Sequence, residues 1–493
     1  MKNVKKKLPV TVGIAKYRNT EVKAYENNPL IIALPNRLDP KRFKDALSRS
    51  VIPIGASHLS DGDRVEYIKE LRKTRIITTE HLDLYNEIYN ALSHGYVDRN
   101  PSRPEVIAWS YDIADNTIPL DDIDRPYLDA IPDQTTAEAI FITGFSGNGK
   151  STVSELMLMK LFPMVIDEHN WKGFNEPKIV FIKVDMPHNA SRAVLIHRIL
   201  QELERILSYT SFGKVNYAKA CKTKAGKFKA IGEMEDILFT ALNRHHVGLL
   251  VIDEFQNLQV ASLLFRGEML QFFDALSNQL SIPNIKIGTP DTIFLFDKKG
   301  RHKRRIGLVL ELMRFNGKKD WNRAMKAIFG FQPINKPIER NENIEALLKE
   351  LSAGVPSIFM ALWEGCLIEA VNTGCETITQ SLIKRVFKKR FPLMRSVTRN
   401  INKGTKGRHP DLLTVQQYLD TGNEALALKH LKHFANTTSV KGAAASAVIE
   451  DIDSLIDQTV LTPSGLEIVG AVKNKLNDHS QGRNSPQTLE HES

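Results

Sequence analysis

The stretch Gly144-Phe145-Ser146-Gly147-Asn148-Gly149-Lys150-Ser151 fits G-x-x-x-x-G-K-[ST], a pattern that few folds can carry. Before it, Glu138-Ala139-Ile140-Phe141-Ile142-Thr143 reads as a buried strand. After it, Thr152 to Leu161 reads as a helix. A glycine-rich turn between strand and helix can aim its backbone N–H groups inward, and the helix start adds its positive end. That is a cradle for phosphate. Gly144, Ser146, Gly147, Asn148, Gly149, Lys150, Ser151 and Thr152 are therefore the candidate phosphate-binding residues. Lys150 is expected to reach the outer phosphates of ATP, and the Ser151 hydroxyl to join the Mg²⁺ shell. A glycine-rich turn with no ligand is the alternative, but it leaves the flanking strand and helix unexplained.

A second segment, Gly248-Leu249-Leu250-Val251-Ile252-Asp253-Glu254, tests the first. Four apolar residues in a row suit a strand buried on both faces of a parallel sheet. Such sheets place ligands at the carboxyl ends of their strands. Asp253 is the expected metal-side acid, and Glu254 the residue that would orient and deprotonate an attacking water. Otherwise the strand simply ends in two solvated acids. A GTPase would need Asn-Lys-x-Asp, and Asn335-Lys336-Pro337-Ile338 lacks the acid. A small-molecule kinase has no need of a water-activating Glu here. The two motifs lie about a hundred residues apart, which leaves room for an extra strand. Lys178 to Asp185 is read as that strand, with a helix from about Ser191 to Leu207. This is the layout of the additional-strand, catalytic-glutamate ATPases, of which AAA+ proteins are one branch.

A third strand, Ile282 to Pro290, carries Thr289 at its polar end, where AAA+ proteins place a first sensor of the attacked phosphate. Lys298-Lys299-Gly300-Arg301-His302-Lys303-Arg304-Arg305 follows. Arg304 and Arg305, with Arg301 behind them, are candidates for an arginine entering a neighbouring subunit's nucleotide, an effect worth roughly 10³–10⁵ in rate. A solvated or DNA-facing basic loop is the competing reading of the same run.

The 67 basic and 57 acidic residues leave a net charge of +10, which favours an anionic partner beyond a nucleotide. Lys219, Lys222, Lys224, Lys227 and Lys229 form one acid-free cluster, read as a flexible loop contacting DNA phosphates. Lys384 to Arg390 forms another. Such contacts would be backbone-directed and salt-sensitive, unless the clusters are only solvated faces. No apolar run approaches the roughly 18–20 residues of a membrane helix. No signal segment follows the basic N-terminus. Cys221, Cys366 and Cys375 have neither metal-ligand nor disulfide spacing, which fits a cytoplasmic protein.

The expected fold class is α/β: an AAA+ P-loop core with a parallel sheet, a small helical lid, and mostly helical extensions at both ends. Four regions are expected. Residues 1–130 form an adaptor arm, broken by Pro9, Pro29, Pro35, Pro40 and Pro53, with helices at Arg64–Thr74 and Leu82–Ser93. Residues 131–335 form the ATPase core. Residues 336–403 form the lid, with a break at Gly354-Val355-Pro356 before a helix from Ile358 to Val371 and another from Ile378 to Phe387. Residues 404–493 form a C-terminal region whose tail from Asn477 is expected to be disordered.

Several patterns resemble TnsC, the AAA+ regulator of cut-and-paste transposition related to MuB and TniB. They are Tyr17-Arg18-Asn19-Thr20, Val22-Lys23-Ala24-Tyr25-Glu26-Asn27-Asn28-Pro29-Leu30-Ile31-Ile32-Ala33-Leu34-Pro35, Gly95-Tyr96-Val97-Asp98-Arg99-Asn100-Pro101, the phosphate loop, Asp185 to Ser191, Leu249 to Leu258, and Ile287 to Pro290. The second, from Asn28 on, and the third are not general AAA+ features. The resemblance runs to about residue 390. It implies a homo-oligomeric ring or filament on double-stranded DNA, in the bacterial cytoplasm at the nucleoid. It also implies a link between a target selector of TnsD or TniQ type and a transposase of TnsA and TnsB type. Residues near 17–35 and 95–101 would then meet the selector, and the C-terminal region the transposase. Ser357 stands where many AAA+ lids place a second-sensor arginine; Arg340 or Lys384 could substitute, or the sensor is missing. A DNA motor or loader, and a signalling scaffold that never touches DNA, are the rival readings. A nuclease would need clustered acids that the sequence lacks.

Overall fold

The computed structural model describes residues 8–51, 58–114, 139–144, 147, 149–289, 292, 308–312, 314–315, 318–392, 394–395, 398, 415, 419, 424–437, 448–449, 452–453 and 461–480. Its strands are β1 (Val12–Ile14), β2 (Ala139–Thr143), β3 (Val165–Asp167), β4 (Lys178–Ile179), β5 (Ile182–Asp185), β6 (Leu250–Asp253), β7 (Asn284–Ile287) and β8 (Leu308–Glu311). They form two sheets, ordered β5-β6-β7-β2-β8 and β1-β3-β4. Every pair in the larger sheet is parallel. β2, β6 and β7 are buried throughout, as strands covered by helices on both faces must be. β8 has no counterpart among the strands read from the sequence.

The strand between the phosphate-loop strand β2 and the acid-bearing β6 is β7. The extra strand was expected at Lys178–Asp185, and the structure corrects this in two ways. That stretch is two strands, and its second half, β5, is the sheet's outer strand beyond β6. β4 pairs antiparallel with β3 in the small sheet, and the chain then crosses at Val180 and Phe181. Val180 N–H donates to Met164 O at 2.9 Å, while Ile182 N–H donates to Leu249 O at 2.9 Å. An unbroken apolar run does not reveal that its hydrogen bonds change partner midway.

The chain divides into two compact units, residues 1–53 with 69–331, and residues 54–68 with 332–493. Residues 1–53 thus fall in the same unit as the stretch expected to form the ATPase core. Leu30, Leu34, Tyr85, Leu92 and Tyr96 belong to the same buried cluster as Phe162, Ile179 and Leu250. The prolines that read as breaks partly start helices instead. Pro29 and Pro40 each open a helix, behind Asn28 and Asp39 whose side chains cap its free N–H groups.

The two unusual N-terminal patterns meet in this core. Asn28 Nδ2 donates to Tyr96 O at 2.7 Å, and Arg99 Nη1 donates to Val247 O at 2.6 Å. Lys178, fully buried, donates to Leu30 O and lies 4.7 Å from the centre of the Tyr96 ring. Burial, with Arg99 and Arg18 nearby, pushes its ammonium well below the usual lysine range. Residues 28–34 and 95–96 are buried, so they are scaffold and not a surface for a selector. Gly95 shows why its side chain is only hydrogen: a Cβ there would lie 2.6 Å from Pro283 Cδ and 3.0 Å from Ser281 O.

In the second unit, helix Glu342–Ser352 is followed by Pro356–Asn372, where a helix is expected from Ile358 to Val371, and by Gln380–Arg390, where one is expected from Ile378 to Phe387. Ala353 and Gly354 take left-handed conformations that end the first, and Pro356 opens the second. Helix Asp61–Ile68 packs on helix Pro356–Asn372, and buried Arg64 makes a two-armed ion pair with Glu376, both bonds 2.7 Å. Arg340 pairs with Glu345, and Lys384 is exposed. Farther along, Leu428, Leu431, Val469, Val472 and Leu476 share a small core between helices Glu424–Thr437 and Pro463–Ser480. The tail expected from Asn477 therefore begins as helix, and residues 481–493 lie outside the described ones.

Two outcomes follow for the first unit. Gly95→Ala forces the helix off Pro283 and should cost about 1–3 kcal/mol, read as a lower midpoint in denaturant unfolding; an unchanged midpoint would show that the contact yields freely. The second concerns acid. Burial holds His81, His169 and His245 neutral, with pKa values pushed down to about 4, 3 and 3 from an ordinary 6.5. The unfolded chain takes up protons that the folded chain refuses, so this stability is complete above pH about 6.5 and is lost as pH falls toward 3. Calorimetry should find a falling thermal midpoint between pH 6.5 and 4.

Candidate nucleotide site

Because the strands run parallel, Thr143, Asp253 and Ile287 all end at one edge of the sheet. The chain leaves β2 at Gly144, whose φ is 149°, and a Cβ there would lie 2.6 Å from Leu312 O. Gly147 and Gly149 have φ of 92° and 81°, and Gly149 is the N-cap of helix Lys150–Leu161. Three glycines thus stand where side chains are strained, and the backbone turns as a phosphate cradle requires. Lys150 Nζ donates to Gly144 O at 2.6 Å, so the ammonium lies over the loop it is expected to serve. Phe145, Ser146 and Asn148 lie outside the described residues, as do the side chains of Ser151 and Thr152.

Asp253 is buried at the end of β6. Its Oδ1 accepts the Glu254 N–H at 2.8 Å, and its Oδ2 accepts from Lys183 Nζ at 3.0 Å. Lys183 also donates to Glu155 Oε1 at 2.7 Å, on the helix that begins at Lys150. Burial opposes the Lys183 charge, but Asp253 and Glu155 outweigh it and hold the ammonium above its ordinary pKa. Glu254 has φ 54° and ψ 37°, a left-handed conformation unusual for glutamate. Its carboxylate accepts from Gln256 Nε2 at 2.6 Å, and Asn257 Nδ2 donates to Met186 O at 3.0 Å. Strain of this kind clusters at functional sites.

Thr289 follows β7, next to β2 in the sheet, and its hydroxyl pairs with that of Thr292 at 3.3 Å. Gly144, Lys150, Asp253, Glu254 and Thr289 therefore come from adjoining strand ends. Arg301, Arg304 and Arg305 lie outside the described residues. Lys183, Glu155 and Gln256 escape the sequence reading. The available signal was a lysine set between apolar residues inside a strand, Ile182-Lys183-Val184.

The lysine cluster is a hydrogen-bonded hairpin, not the flexible loop expected. Lys222 bridges Phe228, Thr223 N–H donates to Lys227 O at 2.8 Å, and Gly226 at φ 78° makes the turn. Lys219, Lys222, Lys224 and Lys227 are exposed; Lys229 is half-buried, 3.5 Å from Glu233. The Phe228 ring lies 5.3 Å from that of His197, and Arg192 pairs with Glu235 at 3.2 Å. The Phe228–His197 contact sets the hairpin against helix Arg192–Leu207, and just before the hairpin Ala218 N–H donates to Glu204 Oε1 of the same helix at 2.7 Å.

The strand order and this site define an AAA+ P-loop ATPase fold. Residues 133–296 match the family model of an AAA domain. No curated protein matches the chain. Among solved structures, the Aeropyrum pernix ORC1 protein in complex with DNA is similar at 15% identity and TM-score 0.33, covering 73% of this chain and 91% of that one. A Walker-type ATPase of Pyrococcus abyssi shares 14% identity at TM-score 0.36, covering 76% and 97%. Thermotoga maritima RuvB shares 11% at TM-score 0.31, covering 75% and 84%. Superpositions this loose carry no weight beside the strand order. Among the described residues, no helix is long and apolar enough to cross a membrane.

The residues present fit the group: the glycine cradle and Lys150 would hold a nucleotide's phosphates, and buried Asp253 would stand on the metal side, where Ser151 is also expected. Lys150→Ala should abolish binding of a fluorescent ATP analogue while leaving the thermal midpoint of the free protein within about 1 kcal/mol of stability. Undiminished binding would remove Lys150 from the site.

Proposed function

We propose that this chain is an ATP-dependent regulator of DNA transposition of the TnsC type. It assembles as a homo-oligomer on double-stranded DNA and connects a target selector of TnsD or TniQ type to a transposase of TnsA and TnsB type. The observation that carries the DNA part is the acid-free stretch at residues 219–229, Lys219 followed by the hairpin, which offers four exposed lysines. The transposition part rests on the Asn28–Pro35 and Gly95–Pro101 patterns. Their burial moves the expected selector contact outward, to the exposed residues between Asn19 and Asn27.

In this reading the loop backbone and Lys150 hold the phosphates, and Asp253 holds the metal shell. Glu254 must leave Gln256 to accept a proton from water, a role worth roughly 10²–10⁴ in rate. Arg304, Arg305 or Arg301 completes the site from a neighbouring copy. Hydrolysis then weakens the assembly and resets target choice.

Negative-stain imaging with duplex DNA tests the assembly. Rings or filaments should require both DNA and a slowly hydrolysed ATP analogue. Glu254→Gln should form them with ordinary ATP and keep them. Lys224→Glu with Lys227→Glu should weaken DNA binding and lower its log–log salt slope by roughly two. Particles indifferent to DNA would favour the signalling scaffold, and assembly that a cognate transposase leaves untouched would favour a motor or loader.

A further inference from the structure

The ion pair between Lys183 and Asp253 has no place in the mechanism above. Lys183 and Asp253 have side chains only 7% and 5% exposed, so water screens their attraction weakly. One Asp253 oxygen is committed to the Glu254 N–H, and the other to the Lys183 ammonium at 3.0 Å. The same ammonium is anchored at 2.7 Å by Glu155, five residues beyond Lys150 on the phosphate-loop helix. A cation thus already sits on the carboxylate that the proposed site assigns to Mg²⁺.

We infer that Lys183 is a resident counter-cation of Asp253, a positioning residue that holds this carboxylate in the nucleotide-free chain and sets the divalent-cation concentration needed to load it. The inference rests on Asp253 being the metal-side acid. A buried carboxylate without a partner is costly, so the metal-free site needs a substitute charge. Lysine suits this task because its flexible stem lets the ammonium withdraw. Glu155 gives it somewhere to go: 37% exposed, it can take a larger share of the ammonium as Asp253 turns toward a metal. Because Glu155 lies on the helix that starts at Lys150, the exchange also connects the metal acid to the phosphate-loop helix.

The variant of choice is Lys183→Met with Glu155→Gln. It removes one positive and one negative charge, so the local net charge is unchanged while the competing ammonium is gone. Binding of fluorescent ADP is followed while MgCl₂ is titrated, and the half-saturating Mg²⁺ concentration is read. The wild-type chain should show clear Mg²⁺ dependence, and the variant should reach half saturation at roughly tenfold lower Mg²⁺, the equivalent of about one pKa unit of interaction. Lys183→Arg should stay close to wild type. A folded variant whose half-saturating Mg²⁺ is unchanged overturns the inference. If the double variant does not fold, Glu155→Gln alone decides: with its anchor lost, Lys183 binds Asp253 more fully and the Mg²⁺ requirement should rise, whereas an equal or lower requirement overturns the inference. Wild-type nucleotide binding indifferent to Mg²⁺ would instead refute the metal role of Asp253.

Discussion

The position of β2 between β7 and β8 governs the rest of the molecule. Gly288 N–H donates to Ile142 O at 3.0 Å on one side, and Leu312 N–H to Thr143 O at 2.8 Å on the other. These bonds hold the last turn of the strand, so the chain must leave at Gly144 in one direction. Leu312 O then stands so close that no side chain fits at Gly144. The phosphate cradle is therefore shaped from beneath, by two neighbouring strands, and not only by its own glycines. The sheet order also sets the distance between the two halves of the site. With one strand between β2 and β6, and strands about 4.8 Å apart, the loop and Asp253 stand about 10 Å apart, enough for a phosphate and a metal ion.

The features that sequence alone revealed are those whose cause is local. The two motif glycines, Gly144 and Gly149, take positive φ just before a helix, so residues 144–151 announce themselves. Asp253 and Glu254 do the same because a strand buried on both faces has no reason to end in two acids. The helices after residue 341 were legible because they begin and end on signals that act over a few residues, Pro356 and Gly354 among them. What escaped depends on register. Lys183 faces Asp253 only because β5 lies beside β6, and nothing in the segment from Lys178 to Asp185 says that it serves two sheets.

The first hundred residues failed to read correctly for a different reason. Proline-rich spacing reads as an arm, yet proline at the first helical position costs no hydrogen bond. Pro29 and Pro40 initiate short helices that are too brief to show periodicity. Their apolar residues find partners far along the chain, in Phe162 and Ile179, which no window of sequence contains. The same patterns that supported the TnsC resemblance turn out to be the stitches of this packing: Asn28 and Arg99 bond across it, and Leu30, Leu34 and Tyr96 fill it.

The segment from Lys178 to Asp185 carries a wider consequence. At one end Lys178 is held by Leu30 O and the Tyr96 ring; at the other, Lys183 touches Asp253. Leu30 and Tyr96 at one end and Asp253 at the other are thus fastened to the same eight residues of backbone. Such a chain is not modular in the way its motif order implies. A fragment beginning near residue 131 would keep every catalytic signature yet strand a lysine in an opened core, and chimaeras joined there would inherit one relative's motifs on another's foundations. Exchange of parts in evolution or engineering has to respect this seam and cut elsewhere.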